Sequence, residues 1–218
     1  MIELYTAATP NGWKISILLE ELGIEYEVLP INLMKDEQKS EEFLKLNPNG
    51  KIPVIKDRQN DRVIFESGAI LMYLAEKHNL FFGDNQEERY SIIQWLMFQV
   101  GGIGPMMGQA NVFYRYFPEK IPAVIARYHT EVKRLFSVLD KQLEKQDYLT
   151  GDKYTIADIA NWSWVHVAFW GGVKLDGYDN LTQWCNRIAL RPAVQKGINI
   201  PPKADPEAIK KAGKKLIS

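Results

Sequence analysis

The spacing of apolar residues changes once along the chain. Over about the first eighty residues it is mixed. Ile2 to Tyr5 reads as a strand and Thr9-Pro10-Asn11-Gly12 as a turn. Trp13 to Leu22 reads as a helix, with Ile15, Leu18, Leu19 and Leu22 at helical spacing and Gly23 beyond its end. Tyr26 to Ile31 predicts a second strand and Glu41 to Leu46 a short helix. Pro53 to Ile55 and Val63 to Phe65 predict two strands around the polar turn "KDRQND". Glu66-Ser67-Gly68 then opens a helix with Ile70, Leu71, Tyr73 and Leu74 on one side. The predicted order is β-α-β-α-β-β-α.

From Gln86 onward the pattern is helical. Glu87 to Tyr114 predicts a long helix, interrupted at "GGIGPMMG", where Pro105 and the glycines predict a kink or break. Ile121 to Glu144 predicts a second long helix with a charged outer face. Thr155-Ile156-Ala157-Asp158 has the form of a capping box: a hydroxyl, then a carboxylate three residues on, before an apolar run. Leu181 to Leu190 and Pro192 to Ile198 predict shorter helices. The expected organisation is an α/β domain over residues 1–79, a linker over 80–86, an all-helical domain over 87–200 and a basic surface tail over 201–218.

One stretch breaks the strand pattern. In "NPNGKIPVI", Pro53 sits among Ile52, Val54 and Ile55, although proline lacks the N–H that a central strand needs. Either the proline is an ordinary trans residue at a strand edge, or Ile52–Pro53 is a cis peptide at a tight turn. The second arrangement leaves the backbone groups of Ile52 facing outward, able to pair with an extended peptide.

Composition narrows the possibilities. The 218 residues are 46% hydrophobic and 25% charged, ordinary for a globular protein with ample core. Formal net charge is zero, so nothing in the overall balance points to nucleic acid or an anionic membrane as partner. No apolar run approaches the ~20 residues of a membrane span, and Met1-Ile2-Glu3-Leu4-Tyr5 lacks the form of a secretory signal. Cys185 is the only cysteine, which excludes an intrachain disulfide and a C-x-x-C pair and suggests a reducing, cytoplasmic setting. His78, His129 and His166 are scattered without metal-ligand spacing, and "GGIGPM" departs from the dinucleotide fingerprint. Neither a metal nor a nucleotide is expected.

The motifs "NPNGKIPVI", "FESGAILMYLAE" and "YTIADIA" together resemble the cytosolic glutathione transferases. "TPNGWKISILLEELG" and "WLMFQVGGIGPMMGQ" are similar to the nu-class and yeast nitrogen-regulator-like branch, whose bacterial members reduce disulfides with glutathione. The resemblance implies a thioredoxin-like N-terminal domain, a C-terminal helical bundle, glutathione as co-substrate and a homodimer. It also implies a cis Pro53, with Ile52 pairing to the cysteinyl backbone of glutathione. Glu66 and Ser67 would hold the γ-glutamyl end, where a serine hydroxyl and helix-start N–H groups suit a carboxylate and Glu66 suits the ammonium. Lys51 and Gln38 would serve the glycyl carboxylate and nearby backbone, and Arg127 would reach the ligand from the helical domain. A solvated loop role competes for Lys51 and Gln38, as does a solvated helix position for Arg127.

The reactive sulfur must be a thiolate, because a free thiol titrates near ~8.5. "TAATPNGW" offers no serine or cysteine, and Tyr5 comes too early. The turn does offer Thr9, Asn11 and a helix N-terminus, all able to favour a charged sulfur. By resemblance Thr9 and Asn11 act on the sulfur; locally, both could simply shape the turn and cap the helix. Glutathione-dependent reduction of disulfides without an enzyme cysteine is the leading function. Conjugation to electrophiles, or a non-catalytic regulatory role on the same fold, are the alternatives.

Overall fold

The computed structural model describes residues 1–202, and the tail expected over 201–218 lies almost wholly outside the described residues. The chain forms two compact units, one of Met1–Leu80 joined by the segment from Arg191, the other of Phe81–Leu190.

In the first unit, β1 (Ile2–Thr6) pairs in parallel with β2 (Tyr26–Pro30) and antiparallel with β3 (Val54–Asp57). The antiparallel β4 (Arg62–Phe65) completes the order β2-β1-β3-β4. β3 runs two residues further than expected, through Lys56 and Asp57, because the tight turn does not begin until Arg58. α1 (Pro10–Leu22) and α3 (Ser67–His78) pack against each other, and α2 (Glu41–Leu46) follows a short 3₁₀ stretch. Leu4, Ile15, Leu18, Leu19, Val54, Ile55, Ile70, Leu71 and Leu74 form its fully buried interior.

α1 starts three residues earlier than the apolar spacing suggested. Thr9 is its N-cap and Pro10 occupies the first turn, where its missing N–H costs nothing. Gly12 lets that turn close against the end of β1, since an added Cβ would lie 2.2 Å from the Ala7 carbonyl oxygen. Gly23, at φ 63°, ends the helix in the left-handed conformation.

The last described helix, α9 (Pro192–Gly197), corrects the expected domain boundary: it packs on α1 and belongs to the first unit. The physical cause is a set of complementary contacts. Arg191 binds Glu21 through two bonds of 2.6 and 2.8 Å, Lys196 lies 2.8 Å from Glu20, and Ser16 Oγ donates to the Gly197 carbonyl at 2.7 Å.

In the second unit, α4 (Gln86–Phe98) runs through a wide π turn (Gln99–Ile103) into α5 (Gly104–Asn111) and a second π turn (Val112–Tyr116). The kink or break expected at "GGIGPMMG" takes the form of a π turn: the helix stays continuous and its hydrogen-bond pattern changes. Gly104 N–H bonds Gln99 C=O, five residues back, and this wider turn absorbs Pro105, which cannot donate and would crowd a normal turn. α6 (Pro122–Gln142), α7 (Ile156–Val165) and α8 (Asp179–Ala189) complete the bundle. The Thr155–Asp158 capping box forms as expected. Buried Asp158 also accepts the Leu149 N–H and the Trp184 indole N–H, each at 2.9 Å.

Candidate functional site

Strand register brings three chain segments to one end of the sheet. Tyr5 pairs with Val54, and Val54 with Phe65. The carboxyl end of β1, the amino end of β3 and the carboxyl end of β4 therefore lie side by side. Their continuations are the Thr9 turn, Ile52-Pro53 and Glu66-Ser67.

The Ile52–Pro53 peptide is cis. The β-ladder ends at Val54, so Ile52 lies beyond it, half-buried. Asn47, buried and not anticipated from the sequence, shapes this corner. Its amide donates to Lys51 C=O at 2.6 Å, its side-chain oxygen accepts the Asn49 N–H at 2.9 Å, and its carbonyl accepts the Gly50 N–H at 2.9 Å. Lys51 itself is exposed.

Glu66 has φ 69° and ψ 115°, a conformation that L-residues rarely adopt and that costs about 1–3 kcal/mol. Its side chain is exposed and makes no cap to α3. The first-turn N–H groups of α3 thus have no side-chain acceptor from the N-cap, in contrast to α1. Ser67 is buried at the start of α3, and its Oγ accepts from the Nζ of Lys14 at 3.1 Å. Lys14 is 2% exposed. Sequence reading passed over it, although a signal was present: it stands four residues before Leu18, on the apolar side of α1.

Thr9 Oγ accepts the Gly12 N–H at 3.2 Å, so the cap reading of Thr9 is realised. That bond uses a lone pair and leaves the hydroxyl proton able to donate, so capping does not compete with binding an anion. Asn11 is half-buried at the second position of α1. Tyr5 is otherwise engaged: its hydroxyl donates to Glu3 at 2.7 Å, and burial together with that bond pushes its pKa up to about 12.

Gln38 is buried, with its amide nitrogen 3.5 Å from Asp36 Oδ1 and its Oε1 without a hydrogen-bond partner among the described residues. An orphaned acceptor suits a peptide N–H better than a carboxylate. Arg127 belongs to the other unit, on α6, with an exposed guanidinium 3.7 Å from Glu131. Cys185, on α8, is buried, and burial raises its thiol pKa to about 12. It is inert as a nucleophile near neutral pH. His129 and His166 contact backbone carbonyls of Gly171 and Trp162 at 2.7 and 2.9 Å, as structural histidines do.

Two family models match. Residues 1–76 fit the glutathione S-transferase N-terminal domain and residues 105–192 the C-terminal domain. The chain belongs to the glutathione S-transferase family. It is 44% identical over 203 residues to the disulfide-bond oxidoreductase YfcG of Escherichia coli strain K12, covering 91% of this chain and 94% of that protein. Among solved structures it resembles a glutathione transferase of Burkholderia graminis with two glutathione molecules bound per subunit (TM-score 0.90, 39% identity, 93% and 89% of the two chains). A Pseudomonas putida glutathione transferase with one glutathione disulfide bound per subunit is similar (TM-score 0.88, 40% identity, 92% and 91%). The thioredoxin-like sheet followed by a helical bundle is the fold of this family.

Proposed function

We propose that this transferase binds glutathione along the open end of its sheet and uses it to reduce disulfides without an enzyme cysteine. The observation that carries the reading is the contrast between two places. Cys185 is buried with its thiol pKa pushed to about 12, whereas the turn after β1 joins a threonine hydroxyl to a helix N-terminus. The names of the relatives, a disulfide-bond oxidoreductase and structures with glutathione or its disulfide, support the same reading.

Ile52 would pair with the cysteinyl backbone, Glu66 and Ser67 with the γ-glutamyl ammonium and carboxylate, and Gln38 and Lys51 with the glycyl end. Thr9 and Asn11 would donate to the sulfur. A glutathione thiolate attacks one sulfur of the substrate disulfide, forming a mixed disulfide and expelling a thiolate that takes up a proton. A second glutathione thiolate attacks the glutathione sulfur of that mixed disulfide. Glutathione disulfide forms and the second substrate thiol leaves. Two glutathiones supply the two electrons. Reduced glutathione as the sole reductant suits a cytoplasmic setting, and small disulfides are the substrates proposed.

The test is a parallel assay of a small disulfide and an aryl halide with glutathione. Turnover of the disulfide should dominate. Dominant aryl-halide turnover would make conjugation the main activity, and no glutathione binding would leave only a regulatory role. Arg127→Ala belongs in the same assay, since loss of affinity in that variant would assign it to the ligand.

A further inference from the structure

Charged side chains are seldom buried unless something uses them, because transfer out of water disfavours the ionised form. Lys14 is such a case. It lies on the inner side of α1, is 2% exposed, and directs Nζ at Ser67 Oγ across 3.1 Å. Burial pushes its ammonium down to about 7, opposed by the nearby Glu66 carboxylate, which favours the charged form.

The geometry points to Lys14 as a positioning residue for the γ-glutamyl end of glutathione: its ammonium, bonded to Ser67 Oγ, turns the serine proton toward the ligand carboxylate. This rests on the reading of Ser67 given above. The reason is donor arithmetic. An ammonium has donors and no acceptor, so Ser67 must accept from it and send its own proton elsewhere. A neutral amine carries a lone pair that can capture the serine proton instead. The ammonium also places a positive charge behind the carboxylate site, at a depth where solvent screens it weakly.

Among the described residues, several other charges on the elements packed around α1 pair with one another. Arg191 and Lys196 of α9 pair with Glu21 and Glu20. Glu3 of β1 is held by Tyr5 and Arg58. On α3, Lys77 pairs with Asp57, and Glu76 and His78 lie with it at the end opposite Ser67. The Glu66 carboxylate favours the charged form of Lys14. A ligand carboxylate favours the ammonium, so binding should draw a proton onto Lys14 and weaken as pH rises through about 7.

S-methylglutathione is the probe, because it has no thiol to titrate. Calorimetry in two buffers of different ionisation enthalpy, at a pH just above neutral, should show the wild type taking up a large fraction of a proton per ligand. Its affinity should fall several-fold from about pH 6 to about pH 8. Lys14→Gln should bind more weakly with neither uptake nor slope, and Lys14→Arg should lack both while keeping more affinity than Lys14→Gln. No uptake by the wild type overturns the proposal whether or not the variants fold. So does an uptake or slope shared by Lys14→Gln, which would belong to the ligand's amino group. Ser67→Ala separates the two levels. If it leaves affinity unchanged, the γ-glutamyl site is wrongly placed and Lys14 falls with it. If it weakens binding while the wild type takes up no proton, only the role of Lys14 fails.

Discussion

Ser16, buried in α1, donates its hydroxyl to the carbonyl of Gly197 at 2.7 Å, joining a helix near the start of the chain to one near its end. The two helices meet so closely that a Cβ on Gly197 would lie 2.7 Å from Ile17 Cα and 2.8 Å from Ile17 N. Backbone cannot yield as a flexible side chain would. Gly197→Ala should therefore destabilise the first unit by about 1–3 kcal/mol, as overpacking of a tight contact does. Urea denaturation would show a lower midpoint, and an unchanged midpoint would mean α9 can shift at no cost.

Acid should act through Asp57. Burial opposes its ionisation, but Lys77, the Tyr73 hydroxyl at 2.6 Å and the Gln59 N–H at 3.0 Å outweigh that and lower its pKa from 3.8 to about 2. A depressed carboxylate contributes stability that is fully present above pH 3.8 and is lost as pH falls toward 2. The contribution is about 2 kcal/mol. Asp57→Asn should remove it, so wild type and variant should differ most near neutral pH and converge in acid. A difference that is constant with pH would count against this role.

Much of this architecture was legible because it rests on local chemistry. The Ile15–Leu18–Leu19–Leu22 spacing, Gly23 and the Thr155–Asp158 box each act within a few residues, and each forms as read. Pro53 was legible as an anomaly whose solution, the cis peptide, needed the family pattern. What escaped depends on distant partners. Nothing near Pro192 in sequence says that Arg191 and Lys196 will meet Glu21 and Glu20. The place of Lys14 on the apolar side of α1 was legible, but its partner was not, since Ser67 stands fifty-three residues on. The kink or break read at Pro105 was left open between its forms, because a kink, a π turn and a break share one sequence signature.

Association should follow from an apolar stripe on the second unit. Tyr90, Met97 and Val100 are 58%, 46% and 39% exposed, while Ile92 and Leu96 on another side of the same helix are buried. Seven- and three-residue steps keep the exposed set on one side through the π turn. A second copy of the chain is the occupant proposed, as a two-fold pair would cover both stripes at once. Sedimentation should give twice the chain mass at micromolar concentration, and Met97→Glu with Val100→Glu should shift the protein to monomer. A monomeric wild type would sink the proposal.

The chemistry proposed for the opening turn can be separated from its structural role. Thr9 caps α1, so Thr9→Ala should cost about 0.5–2 kcal/mol of stability in addition to any loss of activity. Thr9→Ser keeps a hydroxyl that can both accept from Gly12 N–H and donate outward, and it should keep most turnover. Asn11→Ala should slow disulfide reduction as well, through loss of a second donor to a sulfur that becomes negative during exchange. Each loss should be partial, a few kcal/mol at most, because the helix N-terminus still favours the anion. Thr9→Ala should also raise the thiol pKa of bound glutathione, read from thiolate absorbance against pH. Cys185→Ala removes a buried sulfur whose thiol pKa lies near 12, so it should change stability slightly and turnover hardly at all. A folded Cys185→Ala protein without activity, beside fully active Thr9→Ala and Asn11→Ala proteins, would reverse the assignment and make the enzyme's own thiol the nucleophile.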